Sequence, residues 1–147
     1  MRRFRFRLET LLRVRNMAKQ QAQAALSEAE RGVAHAEHAL TQILQEREQH
    51  RVYYAHLQEQ RTPDIALITA SCQYADILEE SLEAQRQQVR LALERRDTRR
   101  DALKLCRQQC EVLEKLKSKK YQQHQQEAAA EEQAWLDEVA VLRLGRA

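Results

Sequence analysis

The chain has 147 residues, with 25 Lys and Arg against 22 Asp and Glu, and a net charge of +3. Charged residues make up 32% and aromatics 5%, and the only helix breakers are Gly32, Gly145 and Pro63, a balance that favours long helices over a compact globule. So modest a charge does not by itself call for a nucleic acid or a membrane, and no apolar run approaches the roughly 18 residues needed to cross a bilayer.

The first segment alternates Arg2, Arg3, Arg5 and Arg7 with Phe4 and Phe6. No apolar stretch of signal-peptide type follows it, so a secretory leader is not expected. Glu9 is the single acid among the first fifteen residues, against Arg13 and Arg15 as well. Exposed Phe and Arg are typical interface anchors, so this end reads as a docking surface for an acidic protein partner.

Helix 1 is predicted from about Leu8 to Gln60. One seam runs Ala22, Leu26, Ala29, Val33, Ala36, Leu40, Ile43, Arg47, His50, Tyr54 and Leu57, in steps that alternate four and three. That 3.5-residue period is what a left-handed coiled coil needs. Ala25, Gly32 and Ala39 beside the seam are expected to let two backbones approach closely. His35 and His38 have no Asp, Glu or Cys cluster to complete a metal site and read as a solvated face.

The one turn signal is Arg61-Thr62-Pro63-Asp64. Proline suits a first helical position, so Thr62 is expected to cap helix 2, with Asp64 favouring its positive end. Helix 2 should run from Pro63 towards Leu142 over a seam of Ile68, Ser71, Ala75, Leu78, Leu82, Gln85, Val89, Ala92, Arg96, Arg99, Leu103, Cys106, Cys110 and Leu113. So short a linker makes the two helices antiparallel neighbours, with residue i roughly opposite residue 125 − i.

The expected fold is therefore all-α, an elongated two-helix antiparallel coiled-coil hairpin with a longer second helix, in a single domain over 1–147. Helix 1 covers about 8–60, the turn 61–63 and the paired part of helix 2 about 64–117. Residues 118–147 form an unpaired, partly flexible extension. Lys117, Lys119 and Lys120 open it beside the arginine-rich end. Further on, Trp135, Leu136, Val139 and Leu142 make a short amphipathic helix that must find a partner elsewhere.

Three further groups of residues need a reading. Near the turn, Tyr53, Tyr54 and Tyr74 gather with His50, Ile43 and Leu78. Tyr54 and Leu78 suit ordinary packing, whereas His50, Tyr53 and Tyr74 suit an exposed recognition stripe. Cys106 and Cys110 lie four apart, but a zinc site needs two more ligands, so both read as small hydrophobes in the seam. Arg96 and Arg99 interrupt that seam opposite Ala29 and Leu26, near Glu28 and Glu30, and suit register control.

Several classes fall away. There is no phosphate loop, nucleophile elbow or HExxH, so no enzyme, catalytic residue, metal or cofactor is expected. Glu127, Glu131, Glu132, Asp137 and Glu138 in the tail, and the lack of any nucleic-acid-binding fingerprint, argue against nucleic acid. An odd count of three cysteines in a chain that needs no staple fits a reducing compartment.

The pattern Phe4, Phe6, Leu8-Glu9, Leu11-Leu12 and Arg15 resembles the opening of FliJ proteins, components of the flagellar type III export apparatus. Gln73-Tyr74 followed by Leu78-Glu79, and Leu136 to Ala140 before Arg143, are similar too. The resemblance implies a cytoplasmic, non-enzymatic adaptor, peripherally associated with the inner-membrane export apparatus and monomeric when free. It looks like the central stalk subunit of rotary ATPases. It implies that the terminal end docks in the hexameric export ATPase, with Phe4, Phe6, Leu8, Leu11, Leu12 and Arg15 matching the family motif. Arg2, Arg3, Arg5, Arg7, Lys117, Lys119 and Lys120 join them as the basic part of that end.

The resemblance also implies that a turn-proximal stripe of Ile43, Glu46, His50, Tyr74 and Leu78, with Tyr53 beside it, meets the cytoplasmic part of the export gate. Export chaperones are further implied partners, and direct membrane insertion is not. The adaptor would couple ATPase to gate without performing chemistry. The alternatives are the equivalent stalk of a virulence type III system and a structural coiled-coil scaffold.

Overall fold

The computed structural model describes residues 3–146, and Arg2 lies outside the described residues. Two helices make the fold, α1 (Glu9–Gln58, 50 residues) and α2 (Ile65–Leu144, 80 residues). They pack antiparallel as a hairpin with the longer helix second. Among the described residues there is no strand and no residue at positive φ.

Helix α2 starts two residues later than Pro63, and its cap is Asp64 rather than Thr62. Asp64 Oδ1 accepts hydrogen bonds from the N–H groups of Ala66 at 3.0 Å and Leu67 at 3.4 Å, and its carbonyl accepts from Ile68. A carboxylate satisfies orphan donors and also meets the positive end of the helix, which a hydroxyl does less well. Pro63 then lies in the turn ahead of the cap.

The interhelical register follows the expected rule. Arg15 bonds Gln109, Arg47 bonds Glu79, and Glu9 pairs with Lys117. Including His50 with Ser71, Gln85 with the Ala36 carbonyl, and Phe4 with His124, the paired residue numbers add to between 121 and 128. Every seam residue named above is buried or half-buried except Arg47 and Arg99. Their long charged chains reach solvent, as such side chains do when the helix face allows it.

The chain divides into two compact units. One combines the beginning of the chain, up to Gln21, with everything from Leu103 onward, and the other is Ala22–Ala102. In the second unit the core is Val33, Ala36, Leu57, Leu78 and Leu82, with Leu82 only 1% exposed. In the first it is Leu12, Leu103 and Cys110. Gly32 departs from expectation. A Cβ there would meet nothing within 4 Å, so the glycine does not serve a close helix approach.

Candidate functional site

In the terminal unit, residues 3–6 have no regular secondary structure, and a turn at Arg7 and Leu8 leads into α1. The N–H of Glu9 donates to the Phe6 carbonyl at 3.1 Å and closes that turn. Burial alternates residue by residue: Phe4, Phe6 and Leu8 are half-buried, whereas Arg3, Arg5 and Arg7 are exposed. A period of two is that of an extended chain lying on a surface. The surface is α2 beyond the end of α1. The Phe4 ring meets Tyr121 edge-on at 5.2 Å between centroids and lies 5.6 Å from His124.

This strap was not foreseen. The stretch of α2 from Ser118, expected to lack a partner within the chain, is covered over its first turns by the N-terminal segment. Phe4 and Phe6, expected as exposed anchors, turn inward. Acids also face the arginines after all. The cleft between strap and helix is lined by Arg3, Arg5 and Arg7 together with Glu127, Glu131 and Glu132, and Trp135 sits at its far end. Among the described residues, none of these three arginines has a carboxylate at ion-pair distance. The alternation of Arg and Phe in the sequence was the available signal, since alternation marks extended chain.

The remaining residues of the basic end separate by exposure. Leu12 is buried in the seam, Leu8 is half-buried and Leu11 is 40% exposed. The Arg15 guanidinium donates to Gln109 at 3.1 Å. Lys117 reaches Glu9 at 2.8 Å, whereas Lys119 and Lys120 are exposed. Lys115 lies 2.8 Å from Glu111, and its ammonium holds the Glu111 carboxyl below the usual carboxylate range, chiefly by hydrogen bonding. Repulsion between the two basic segments is thus relieved in part by Glu9 and Glu111.

Past the strap, α2 presents apolar side chains to solvent. Trp135 is 62% exposed and Leu144 77%, and Leu136, Val141 and Leu142 are exposed with them. Val139 alone of the expected partner-helix residues is half-buried.

In the turn-proximal unit, His50 is the organising residue. Its Nε2 lies 2.8 Å from the Ser71 hydroxyl, which is the buried polar group of the seam. The imidazole also contacts three tyrosine rings. Tyr74 meets it edge-on at 5.1 Å, Tyr54 stacks at 6.5 Å, and Tyr53 tilts at 6.5 Å. Tyr53 and Tyr74 are exposed and Tyr54 is half-buried. The Cys72 thiol donates to the Tyr54 hydroxyl at 3.9 Å, and the contact with Cys72 raises the phenol above its usual value.

The expected stripe is therefore only partly a surface. Glu46 is exposed and Ile43 half-buried, but Leu78 is 4% exposed and belongs to the core beneath the stripe. It can support the tyrosines and cannot touch a partner while the hairpin is closed.

Arg96 does not use Glu28 or Glu30 to set register. It is half-buried and bonds its neighbour Asp97 at 3.0 Å. Arg99 instead lines a shallow groove with Glu28, Gly32 and Arg95. Cys106 is half-buried, Cys110 is buried, and both are free thiols. Among the described residues no group of three His, Cys, Asp or Glu could hold a metal ion. No described helix is long and apolar enough to cross a membrane.

A family model described as the flagellar FliJ protein matches residues 4–147, essentially the whole chain. No curated protein and no solved structure matches. The chain belongs to the flagellar FliJ family, whose members are non-catalytic components of the flagellar export apparatus.

Proposed function

We propose that this FliJ-family chain is the stalk of the export apparatus, joining the hexameric export ATPase to the cytoplasmic part of the export gate. The observation that carries the reading is the run of Arg3, Arg5 and Arg7, all exposed on the segment ahead of α1. Lys119 and Lys120 add charge on the same unit. A fold stabilised only by its own packing gains nothing from such a row, so an acidic docking partner accounts for it best. That partner is the export ATPase.

The gate contact is assigned to the other unit. Tyr53 and Tyr74 expose half or nearly half of their surface around His50, and large aromatics held in place by a buried bond suit a protein interface. Glu46 completes that face. Free export chaperones are further partners of the exposed α2 end, where Trp135, Leu136 and Leu142 leave an apolar face. The chain then transmits the state of the ATPase to the gate without bond chemistry of its own.

Two variants test the reading. Tyr53→Ala with Tyr74→Ala should weaken binding to the purified gate domain and leave stimulation of the ATPase unchanged. Replacing Arg3, Arg5 and Arg7 by Gln should do the reverse, and salt should weaken the wild-type ATPase contact by screening. Equal loss of both activities in either variant would show that the two faces are not separate sites.

A further inference from the structure

The aromatic contacts of Phe4 have a role that the docking reading does not require. A short terminal segment ahead of a helix ordinarily frays. Here Phe4, Phe6 and Leu8 lie inward and Phe4 packs on Tyr121 and His124, so the segment has a fixed seat on α2. The consequence falls on the arginines. With Phe4, Phe6 and Leu8 half-buried, Arg3, Arg5 and Arg7 alternate with them as the exposed residues of the segment, along the cleft.

We propose that Tyr121 and His124 are positioning residues. They staple the N-terminal strap through Phe4 and so display Arg3, Arg5 and Arg7 as a preformed basic row for an acidic protein surface. This rests on the reading above, in which that surface belongs to the export ATPase. In this arrangement the phenylalanines are internal anchors and the arginines are the groups that read the partner.

The physical gain is preorganisation. A charged row on a loose terminus must be ordered when it binds, and that entropy is subtracted from the affinity. An edge-to-face aromatic pair holds a segment with modest strength, which is enough to bias an otherwise free terminus. The acids across the cleft fit the same arrangement. Glu127, Glu131 and Glu132 line the same cleft, and among the described residues they are not paired with its arginines at ion-pair distance. The guanidinium groups therefore remain open to a partner.

The test uses the full chain with a fluorophore on the N-terminal amine, read first without any partner. Tyr121→Ala and Phe4→Ala should both lower the anisotropy of the fluorophore, and Tyr121→Phe, which keeps the ring edge, should not. Circular dichroism should show unchanged helicity for all three, since Tyr121 is 46% exposed and Phe4 precedes α1. Unchanged anisotropy in Tyr121→Ala overturns the staple whatever the partner does.

Binding to the export ATPase is read second. Tyr121→Ala should bind about two- to tenfold more weakly, the range expected for one lost aromatic pair, with Tyr121→Phe restoring affinity. The dependence on salt should be the same as wild type, because no charge has been removed. Replacing the three arginines by Gln should flatten that dependence. Tighter binding of Tyr121→Ala would mean that the phenylalanines themselves are the ligand and the staple holds them back, which overturns the proposal. A wild-type chain that fails to bind the ATPase overturns the docking reading and the partner named here, while the anisotropy still decides the staple.

Discussion

The two units bury their apolar residues by different means. Around the turn, helix packs on helix, and the seam from Val33 to Leu57 meets the seam from Ser71 to Val89 with a period of 3.5. In the terminal unit that pattern lasts only while α1 lasts. Beyond Lys117, helix α2 is covered by the short segment ahead of α1, whose burial alternates with a period of two, and past Trp135 its apolar side chains other than Val139 are exposed. A helix partner covers a continuous stripe over many turns. A strap covers only the turns it crosses, and it turns its other side chains, here all arginines, to solvent. The first arrangement makes a stable core, and the second makes a display surface.

The largest test of this contrast is the cost of removing one leucine from each kind of environment. Leu82 is 1% exposed, and Leu82→Ala should lower the stability of the hairpin by about 2–5 kcal/mol in urea unfolding. Leu142 is 61% exposed, and Leu142→Ala should stay within about 0.5 kcal/mol. Comparable losses at the two positions would mean that the end of α2 is packed in the free protein and that the contrast is wrong.

A smaller effect concerns the bond between His50 and the buried Ser71 of the seam. His50→Ala leaves the buried Ser71 hydroxyl without its 2.8 Å partner. An orphaned buried hydroxyl costs about 1–3 kcal/mol. Adding Ser71→Ala to that variant should recover part of the loss, because the unsatisfied group is then gone. If the double variant is less stable than the single one, Ser71 is not the group that suffers.

Gly32 turns the comparison around, because it is a weak point within the helix-on-helix unit. It lies inside α1, it has an ordinary φ, and a Cβ would meet no atom within 4 Å. Gly32→Ala should therefore raise stability by roughly 0.5–1 kcal/mol through the lost freedom of the unfolded chain. A destabilised Gly32→Ala protein would show that a partner helix comes closer there than the groove allows.

How far the sequence could be read follows the same division. Wherever the partner is a helix, the alternation of four and three identified the seam, and the short turn set the register that Arg15 with Gln109 and Arg47 with Glu79 now display. Arg47 and Arg99 stood in the pattern but reach solvent, since periodicity assigns a face and not the path of a long side chain. The cap moved from Thr62 to Asp64 because both residue types cap helices and only the local chain path chooses between them. The strap escaped because six residues are too few for periodicity to weigh against an interface reading, and Arg and Phe suit both. The seat of Phe4 on Tyr121 joins positions more than a hundred residues apart, which no local pattern records. The aromatic cluster around His50 was visible as composition, but the burial of Leu78 beneath it depends on three-dimensional packing.

The smallest expected effect is one that should not distinguish the units at all. Glu48 bonds Arg51 in the turn-proximal unit, and Glu111 bonds Lys115 in the terminal one. In each case hydrogen bonding to the cation, ahead of its charge, holds the carboxyl below the usual range. A carboxyl lowered on folding adds stability at pH above its unfolded value, about 4.3, and that stability disappears as pH falls through the lowered value. Both pairs are exposed, so solvent screens them and each contribution is small. Glu48→Gln and Glu111→Gln should therefore lower the thermal midpoint slightly and equally at pH 7. At pH 3 the difference from wild type should shrink, and 1 M salt at pH 7 should diminish it too. A deficit in Glu111→Gln that exceeds that in Glu48→Gln and persists at pH 3 would assign Glu111 a packing role that charge does not explain. The terminal unit would then owe its order to more than Leu12, Leu103, Cys110 and the strap.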